Sequence, residues 1–368
     1  MFHRIMPTNA KRRYLIEDWS GDPERLVVGL EEERFLLSKN SDAPSIEESL
    51  QVFEELAKIG YSPRLIDDSN QIYALGKEFE EGYLSIKNDS VTHIIEIALP
   101  PIGHPEKIRE TLDEVWGDIS GVTKKLNLNL VSNTSYIPLP KNAQFMPNFA
   151  RKDWMKVRAK PSDNPFHYDL IYFLGTIIST QVHLNAEKQI YSILSKLYEF
   201  EYLIPILFRN QIFDTPAFDN RNMSWMTVFP DDYKAVGTPD VIPKTKTEYE
   251  KLIQQTRDFQ KDYSLVVPRK TGGVEFRSAD LQPDSQRTLE LIAFRIGALV
   301  ASMKFPLIQP ESSLKEMLFE IYKKGQINGE YVRKLQAELE SIQSRIPLPW
   351  MPYFLKMLQR FELLVSAE

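Results

Sequence analysis

Glu31, Glu33, Glu96, His183, Glu275 and Arg277 each lie in a short run whose side chains alternate between polar and apolar. The clearest run is Ser179-Thr180-Gln181-Val182-His183-Leu184-Asn185. Successive side chains of a strand point to opposite sides. Ser179, Gln181, His183 and Asn185 therefore share one face, and Ile178, Thr180, Val182 and Leu184 share the other. In Leu26 to Leu37, Glu31 and Glu33 fall on one face with Val27 and Phe35. In Thr92 to Leu99, Glu96 lies between Ile94 and Ala98 and opposite Ile95, Ile97 and Leu99. In Val274 to Ser278, Glu275 and Arg277 oppose Val274 and Phe276. Singly, each acid reads as a solvated residue on the wet side of an antiparallel sheet. Gathered with a histidine, the acids read as a cavity, because buried carboxylates are costly unless a cation neutralises them and hard divalent ions with oxygen ligands do so well.

The elements that must position these residues follow from periodicity. Ser45 to Ile59 predicts a helix, with Ser45 as N-cap, Glu48 three residues on, an apolar stripe of Leu50, Phe53, Leu56 and Ala57, and Gly60 as its stop. Pro63 to Ile66, Gln71 to Leu75 and Gly82 to Ile86 read as strands leading to a turn at Lys87-Asn88-Asp89-Ser90. Pro100-Pro101 is expected to stop the Glu96 strand, and Pro105 to Val115 is helical in period. Asn127 to Tyr136 reads as a further strand. Phe166 to Gly175 reads as an apolar helix or strand, and Ala186 to Phe208 as one or two buried helices that cover the back of the sheet. Gln211 to Pro243 shows little periodicity, a pattern of functional loops when aromatic residues are retained. Lys246 to Gln260, Asp284 to Lys304, Ser313 to Lys324, Asn328 to Ser344 and Met351 to Ala367 predict helices. Strands early and helices late give an α+β class. Residues 1 to 12 read as a loose arm and residues 305 to 368 as a helical C-terminal part, with no linker to divide the chain, so residues 1 to 368 are read as a single domain.

Composition narrows the function. The 368 residues are 42% hydrophobic and 26% charged, which suits a globular chain with a sizeable core. A net charge of -6 argues against a general nucleic-acid binder. The basic stretch from Pro138 to Pro165, with Lys141, Arg151, Lys152, Lys156, Arg158 and Lys160, reads as a solvated segment or as a phosphate-attracting loop. With no cysteine there is no thiol nucleophile or zinc-thiolate site, which fits a reducing compartment. The first residues lack a secretory apolar core, and no apolar run is long enough to span a membrane, so a cytoplasmic protein is expected.

Between Leu26 and Asp284 these residues resemble the glutamate-cysteine ligase family of carboxylate-amine ligases. Gly29-Leu30-Glu31-Glu32-Glu33 is similar to the family's opening strand, and NDSVTHIIEIALPP, with Asp89 seven residues before Glu96, to its acid-turn-strand segment. TQVHLN, with His183 and Asn185, and GGVEFRSADLQPD, with Glu275 and Arg277, resemble its later strands. Arg221, in FDNRNMSWMTVFP, resembles the arginine that holds the substrate carboxylate, although a neighbouring Gly-Tyr is missing.

The resemblance implies an antiparallel-sheet funnel of the glutamine-synthetase or guanidino-kinase type with helices on its back face. It implies Mg²⁺ (or Mn²⁺) on Glu31, Glu33, Asp89, Glu96, His183 and Glu275. It implies nucleotide contacts from Gln181, His183, Asn185 and Arg277, and catalytic roles for Glu275, Arg277 and Arg221. ATP would be co-substrate and amino acids the partners, with no nucleic acid or membrane, in a chain that can self-associate. The implied reaction joins glutamate to cysteine through an acyl phosphate. A ligase using another amine or carboxylate, or a non-catalytic nucleotide- or metal-binding relative, is the alternative. A phosphagen-type kinase shares the fold but generally uses a reactive cysteine.

Overall fold

The structure, a computed structural model, describes residues 3–4, 26–66, 70–79, 82–89, 91–146, 175–185, 190–210, 218–227, 236–254, 263–269 and 273–366. A ten-stranded sheet runs β1-β3-β4-β5-β6-β2-β8-β12-β11, with β7 also paired to β2, and all of its ladders are antiparallel. Its strands are β1 (His3–Arg4), β2 (Val28–Ser38), β3 (Ser62–Ile66), β4 (Ile72–Phe79), β5 (Gly82–Asn88), β6 (Ile94–Ile102), β7 (Leu128–Val131), β8 (Thr180–Leu184), β11 (Val266–Pro268) and β12 (Val274–Phe276). The short β9 (Val236–Gly237) and β10 (Tyr263–Ser264) form a separate parallel pair. Within the expected N-terminal arm, His3–Arg4 pair with β3, and the rest of the arm lies outside the described residues.

The central strand, β2, separates two environments. Val28, Leu30, Glu32 and Leu36 turn toward the main core, where α1 (Ile46–Lys58), α2 (Pro105–Lys125) and a later helix, Ser285–Lys304, pack. Glu32 shows which helices cover this face. Its carboxylate accepts hydrogen bonds from Trp116 Nε1 at 2.8 Å and Thr288 Oγ1 at 2.6 Å. The alternate residues Gly29, Glu31, Glu33, Phe35 and Leu37 turn the other way, and Phe35 and Leu37 join a small second apolar cluster with Val91, Ile94, Ile178 and Leu281. One strand thus supplies a core with its even positions and a polar face, walled at one end by apolar residues, with its odd ones.

The helix expected from Ser45 forms with its reciprocal capping box, Ser45 accepting from the Glu48 N–H and Glu48 from the Ser45 N–H. Several expectations are corrected. Pro100-Pro101 does not stop β6, which continues to Ile102. The register against β2 shifts between Val28 and Leu30, so an irregularity absorbs the two residues that lack an N–H. The helix expected to end at Val115 runs to Lys125, because Trp116, Ile119 and Val122 extend the buried stripe past Gly117 and Gly121. The strand expected over Asn127 to Tyr136 is confined to Leu128–Val131. Ile178, expected to share a face with Thr180, Val182 and Leu184, packs instead with Phe35 and Ile94, since β8 begins only at Thr180 and the chain before it hydrogen-bonds to Ser135.

The stretch from Gln211 to Pro243 is not wholly irregular. It contains α5 (Asn220–Thr227), preceded in order by α3 (Ile190–Glu201) and α4 (Ile204–Leu207). Asp219 starts α5 by accepting from the Asn222 N–H, and eight residues are too few for a helical period to show. The later helices are α6 (Lys246–Gln254), α7 (Ser285–Lys304, with Asp284 as N-cap), α8 (Glu311–Lys324), α9 (Gly329–Ser341, with Asn328 as N-cap) and α10 (Met351–Ser366). The expected helix end at Gln260, most of the apolar run from Phe166, and Arg151, Lys152, Lys156, Arg158 and Lys160 of the basic segment lie outside the described residues. No helix among the described residues is long and apolar enough to cross a membrane.

Candidate active site

Strand register assembles the polar face. Glu33 stands directly opposite Glu96, and Glu96 opposite Lys87, so β2, β6 and β5 contribute one row. Two residues along β2, Glu31 stands opposite Gln181 of β8, and two further, Gly29 stands opposite His183, which in turn faces Glu275 of β12. All share one parity, so a polar diagonal crosses five strands. Gly29 lets His183 approach closely at its crossing. A Cβ there would sit 3.1 Å from the His183 Cβ, tighter than ordinary contact.

At one end, Glu33, Asp89 and Glu96 form a cluster in which one carboxylate oxygen from each lies within 4.8 Å of the others. Glu33 is anchored. One oxygen accepts from the Ser179 N–H at 2.8 Å and the Ser179 hydroxyl at 2.9 Å, and the other from Gln181 Nε2 at 3.3 Å. Burial, reinforced by the negative charges of Asp89 and Glu96, pushes the Glu33 carboxyl well above the usual carboxylate range. Glu96 is buried and pairs with Lys87 Nζ at 2.8 Å. Asp89 follows the end of β5, its N–H bonded to the Ile94 carbonyl.

At the other end stand Glu31, His183 and Glu275. Burial opposes ionisation of Glu31, but His183, Lys87, Arg269 and Arg277 together outweigh it and hold the group below its ordinary range. Burial lowers the His183 imidazole to about 4, with Arg269 and Arg277 adding to the effect and Glu31 opposing it, so the ring is neutral at pH 7. Its Nε2 is buried and has no hydrogen-bond partner among the described residues, and Glu31 Oε1 lies 3.7 Å away. That gap is too long for a hydrogen bond and close to the separation of two ligands that each sit about 2.1 Å from one ion. Glu275 is completely buried and ion-paired on both sides, with Arg277 Nε at 2.5 Å and with the more exposed Arg269. The donor set, carboxylate oxygens plus one neutral imidazole, suits a hard divalent ion.

Asn185 and Arg221 sit differently from the other expected residues. Asn185 is buried, and its side-chain oxygen accepts from the Val27 N–H at 2.9 Å, tying the end of β8 to the start of β2. Arg221 is 2% exposed. Its Nε donates to the Ile178 carbonyl at 3.1 Å and its Nη1 to Asn222 Oδ1 at 3.3 Å, and it feels the charges of Asp280, Glu33 and Asp219. Its charge is in turn felt at Glu33, on the polar face. Lys87 and Arg269, which no local sequence pattern marks, also reach the acids, pairing with Glu96 and Glu275. Lys87, expected in a turn, lies in β5, and the antiparallel β5–β6 register sets it opposite Glu96.

No family model matches the chain, and no curated protein matches it by sequence. Solved structures do match. A glutamate-cysteine ligase from Francisella tularensis in complex with AMP aligns with a TM-score of 0.59 and 14% identity over 92% of this chain and 82% of its own. A bifunctional glutathione synthetase from Pasteurella multocida gives 0.55 and 14% over 94% of this chain, which spans 50% of that protein's length. The complex of the prokaryotic ubiquitin-like protein Pup and its ligase PafA gives 0.51 and 10% over 93% of this chain and 64% of the other. At these identities the likeness is one of fold.

Proposed function

We propose that the chain is an ATP-dependent carboxylate-amine ligase, built as one catalytic domain, whose site is the polar diagonal at the floor of a funnel. The observation that carries this reading is the gathering of Glu33, Asp89 and Glu96 at one end of the polar face, with a neutral His183 at the other end whose Nε2 has no hydrogen-bond partner among the described residues. That arrangement stands in a fold shared with ligases that form amide bonds from carboxylates. Glutamate is the proposed carboxylate donor and cysteine the proposed amine, in a cytoplasmic, small-molecule reaction.

The γ-phosphoryl group of ATP passes to a substrate carboxylate oxygen and ADP leaves. The amine then attacks the acyl carbon, phosphate departs with the transferred oxygen, and the amine's proton passes to solvent. Little of this demands a protein nucleophile, so the chain's work is positioning and charge control. Glu31, Glu33, Asp89, Glu96, His183 and Glu275 would hold Mg²⁺ or Mn²⁺, which when bound neutralises phosphate charge. Glu275 fixes Arg277, leaving that guanidinium beside the acids to balance charge on the transferring group. Gln181 steadies Glu33 and stands between the two ends of the face. A substrate carboxylate would meet Arg221 only at the floor, where lysine could not reproduce the paired donors of a guanidinium.

A panel of amino-acid pairs scored for ADP release tests the proposal. ADP release that requires Mg²⁺, an amino-acid carboxylate and an amine together is expected, and Glu275→Gln should abolish it. Wild-type turnover in that variant, or no release with any pair, would remove the assignment. Arg221→Lys should raise the KM for the amino acid far more than that for ATP, and the reverse pattern would move Arg221 to the nucleotide.

A further inference from the structure

Lys87 stands in the acid cluster with no role in the chemistry above. Its position is set by backbone, because β5 and β6 pair with Lys87 opposite Glu96, and its Nζ lies 2.8 Å from Glu96 Oε1. Lys87 is mostly buried while Glu96 is nearly wholly so, and the ammonium charge is also felt at Glu31 on β2, two strands away. The neighbouring residues of β5 turn the other way, with Ile86 and Asn88 buried toward the main core and Asn88 hydrogen-bonded to Ser49 of α1. A positive charge has therefore been built into a place where three carboxylates converge.

We infer that Lys87 is a resident cation that competes with a divalent ion for Glu96 and so sets how tightly the acid cluster binds metal. This rests on the proposed metal site. An ammonium donating to the Glu96 oxygen puts a proton where an incoming ion would put itself, and its charge lowers the attraction of the whole cluster for a second cation. Without an ion, the same charge relieves the repulsion among Glu33, Asp89 and Glu96. The device would keep the ligand-free protein intact and make metal loading depend on the phosphates that arrive with it. A purely orienting lysine would act in the opposite sense, since losing it would disorder Glu96 and weaken metal binding.

Mn²⁺ binding to the full chain, without nucleotide, separates these by titration calorimetry on the wild type, Lys87→Met, Lys87→Gln and Lys87→Arg. Removal of the charge in Lys87→Met should tighten Mn²⁺ binding on the order of tenfold and lower the melting temperature of the metal-free protein. Lys87→Gln keeps a hydrogen-bond donor without the charge, so it should also bind more tightly, and it serves if the methionine variant does not fold. Lys87→Arg should bind as the wild type does. Equal or weaker Mn²⁺ binding by both neutral variants, with the wild type binding normally, would overturn the inference and leave the ligase reading standing. Absence of Mn²⁺ binding in the wild type and in every variant would remove the metal site itself.

Discussion

Two buried charge networks lie on opposite sides of the sheet and are built on different rules. Behind it, Glu201 of α3 meets Arg295 of α7, and both meet Ser278, with Arg295 Nη2 donating to the Ser278 hydroxyl at 2.7 Å and the guanidinium stacked 4.5 Å over Phe276. Nearby, Glu199 accepts from Lys196 Nζ at 2.7 Å and from the backbone of Ile308 and Gln309 at 2.9 and 2.8 Å, anchoring the C-terminal helices to α3. There each acid has a cation beside it. On the polar face, Glu33, Asp89 and Glu96 crowd within reach of one another, with Lys87 paired to Glu96 and the charge of Arg221 felt at Glu33. Matched charge fixes helices to strands; carboxylates gathered within reach of one another offer oxygens to a shared cation.

Breaking the matched network should cost most. Arg295→Met would leave Glu201 buried without its counter-charge, and a loss of about 3–5 kcal/mol is expected, measured by urea denaturation. A smaller loss than in an acid-face variant would erase the distinction between the two networks.

A comparable effect should follow from pH through His93, which belongs to neither network. It is buried, and burial lowers its imidazole to about 4 even though Nε2 bonds to the Gly175 carbonyl at 2.8 Å. The unfolded chain takes up that proton near pH 6.5 while the folded chain does not until about 4. Stability is therefore full above about pH 6.5 and is lost as pH falls toward 4, by about 3 kcal/mol at 1.36 kcal/mol per unit. His93→Gln, compared with wild type at pH 7 and pH 5, should lose less stability on acidification. Parallel losses in the two proteins would exclude His93 as a source.

The acid face should respond in the reverse direction and by less. Glu33→Gln removes a charge held next to Asp89 and Glu96, so the metal-free protein should become more stable by on the order of 1 kcal/mol while turnover disappears. A loss of stability together with retained turnover would place Glu33 among the structural pairs.

Strand alternation in the sequence placed each of Glu31, Glu33, Glu96, His183 and Glu275 on a definite side of its own strand, because a period of two depends only on neighbours in the chain; that these sides form one face is set by register. The Ser45 capping box was readable for the same reason. What needed the structure was everything fixed by partners far away in sequence. Glu201 and Arg295 are 94 residues apart and show no local pattern. Lys87 looks like a turn residue until the β5–β6 register puts it against Glu96. Arg269 lies just past the end of β11, where only the antiparallel return from β12 reveals its approach to Glu275. Burial of Arg221 is equally invisible in sequence, since α5 is too short to show which of its sides faces inward.

Transfer of oxygen tests the ligase account most directly. The chain would be incubated with Mg-ATP, an amine panel and amino acids labelled with ¹⁸O in their carboxylates, and the released phosphate examined by mass spectrometry. Attack by a carboxylate oxygen on the γ-phosphoryl group predicts ¹⁸O in that phosphate, one atom for each ADP formed. ADP accumulating with unlabelled phosphate, or no ADP with any pair, would contradict it.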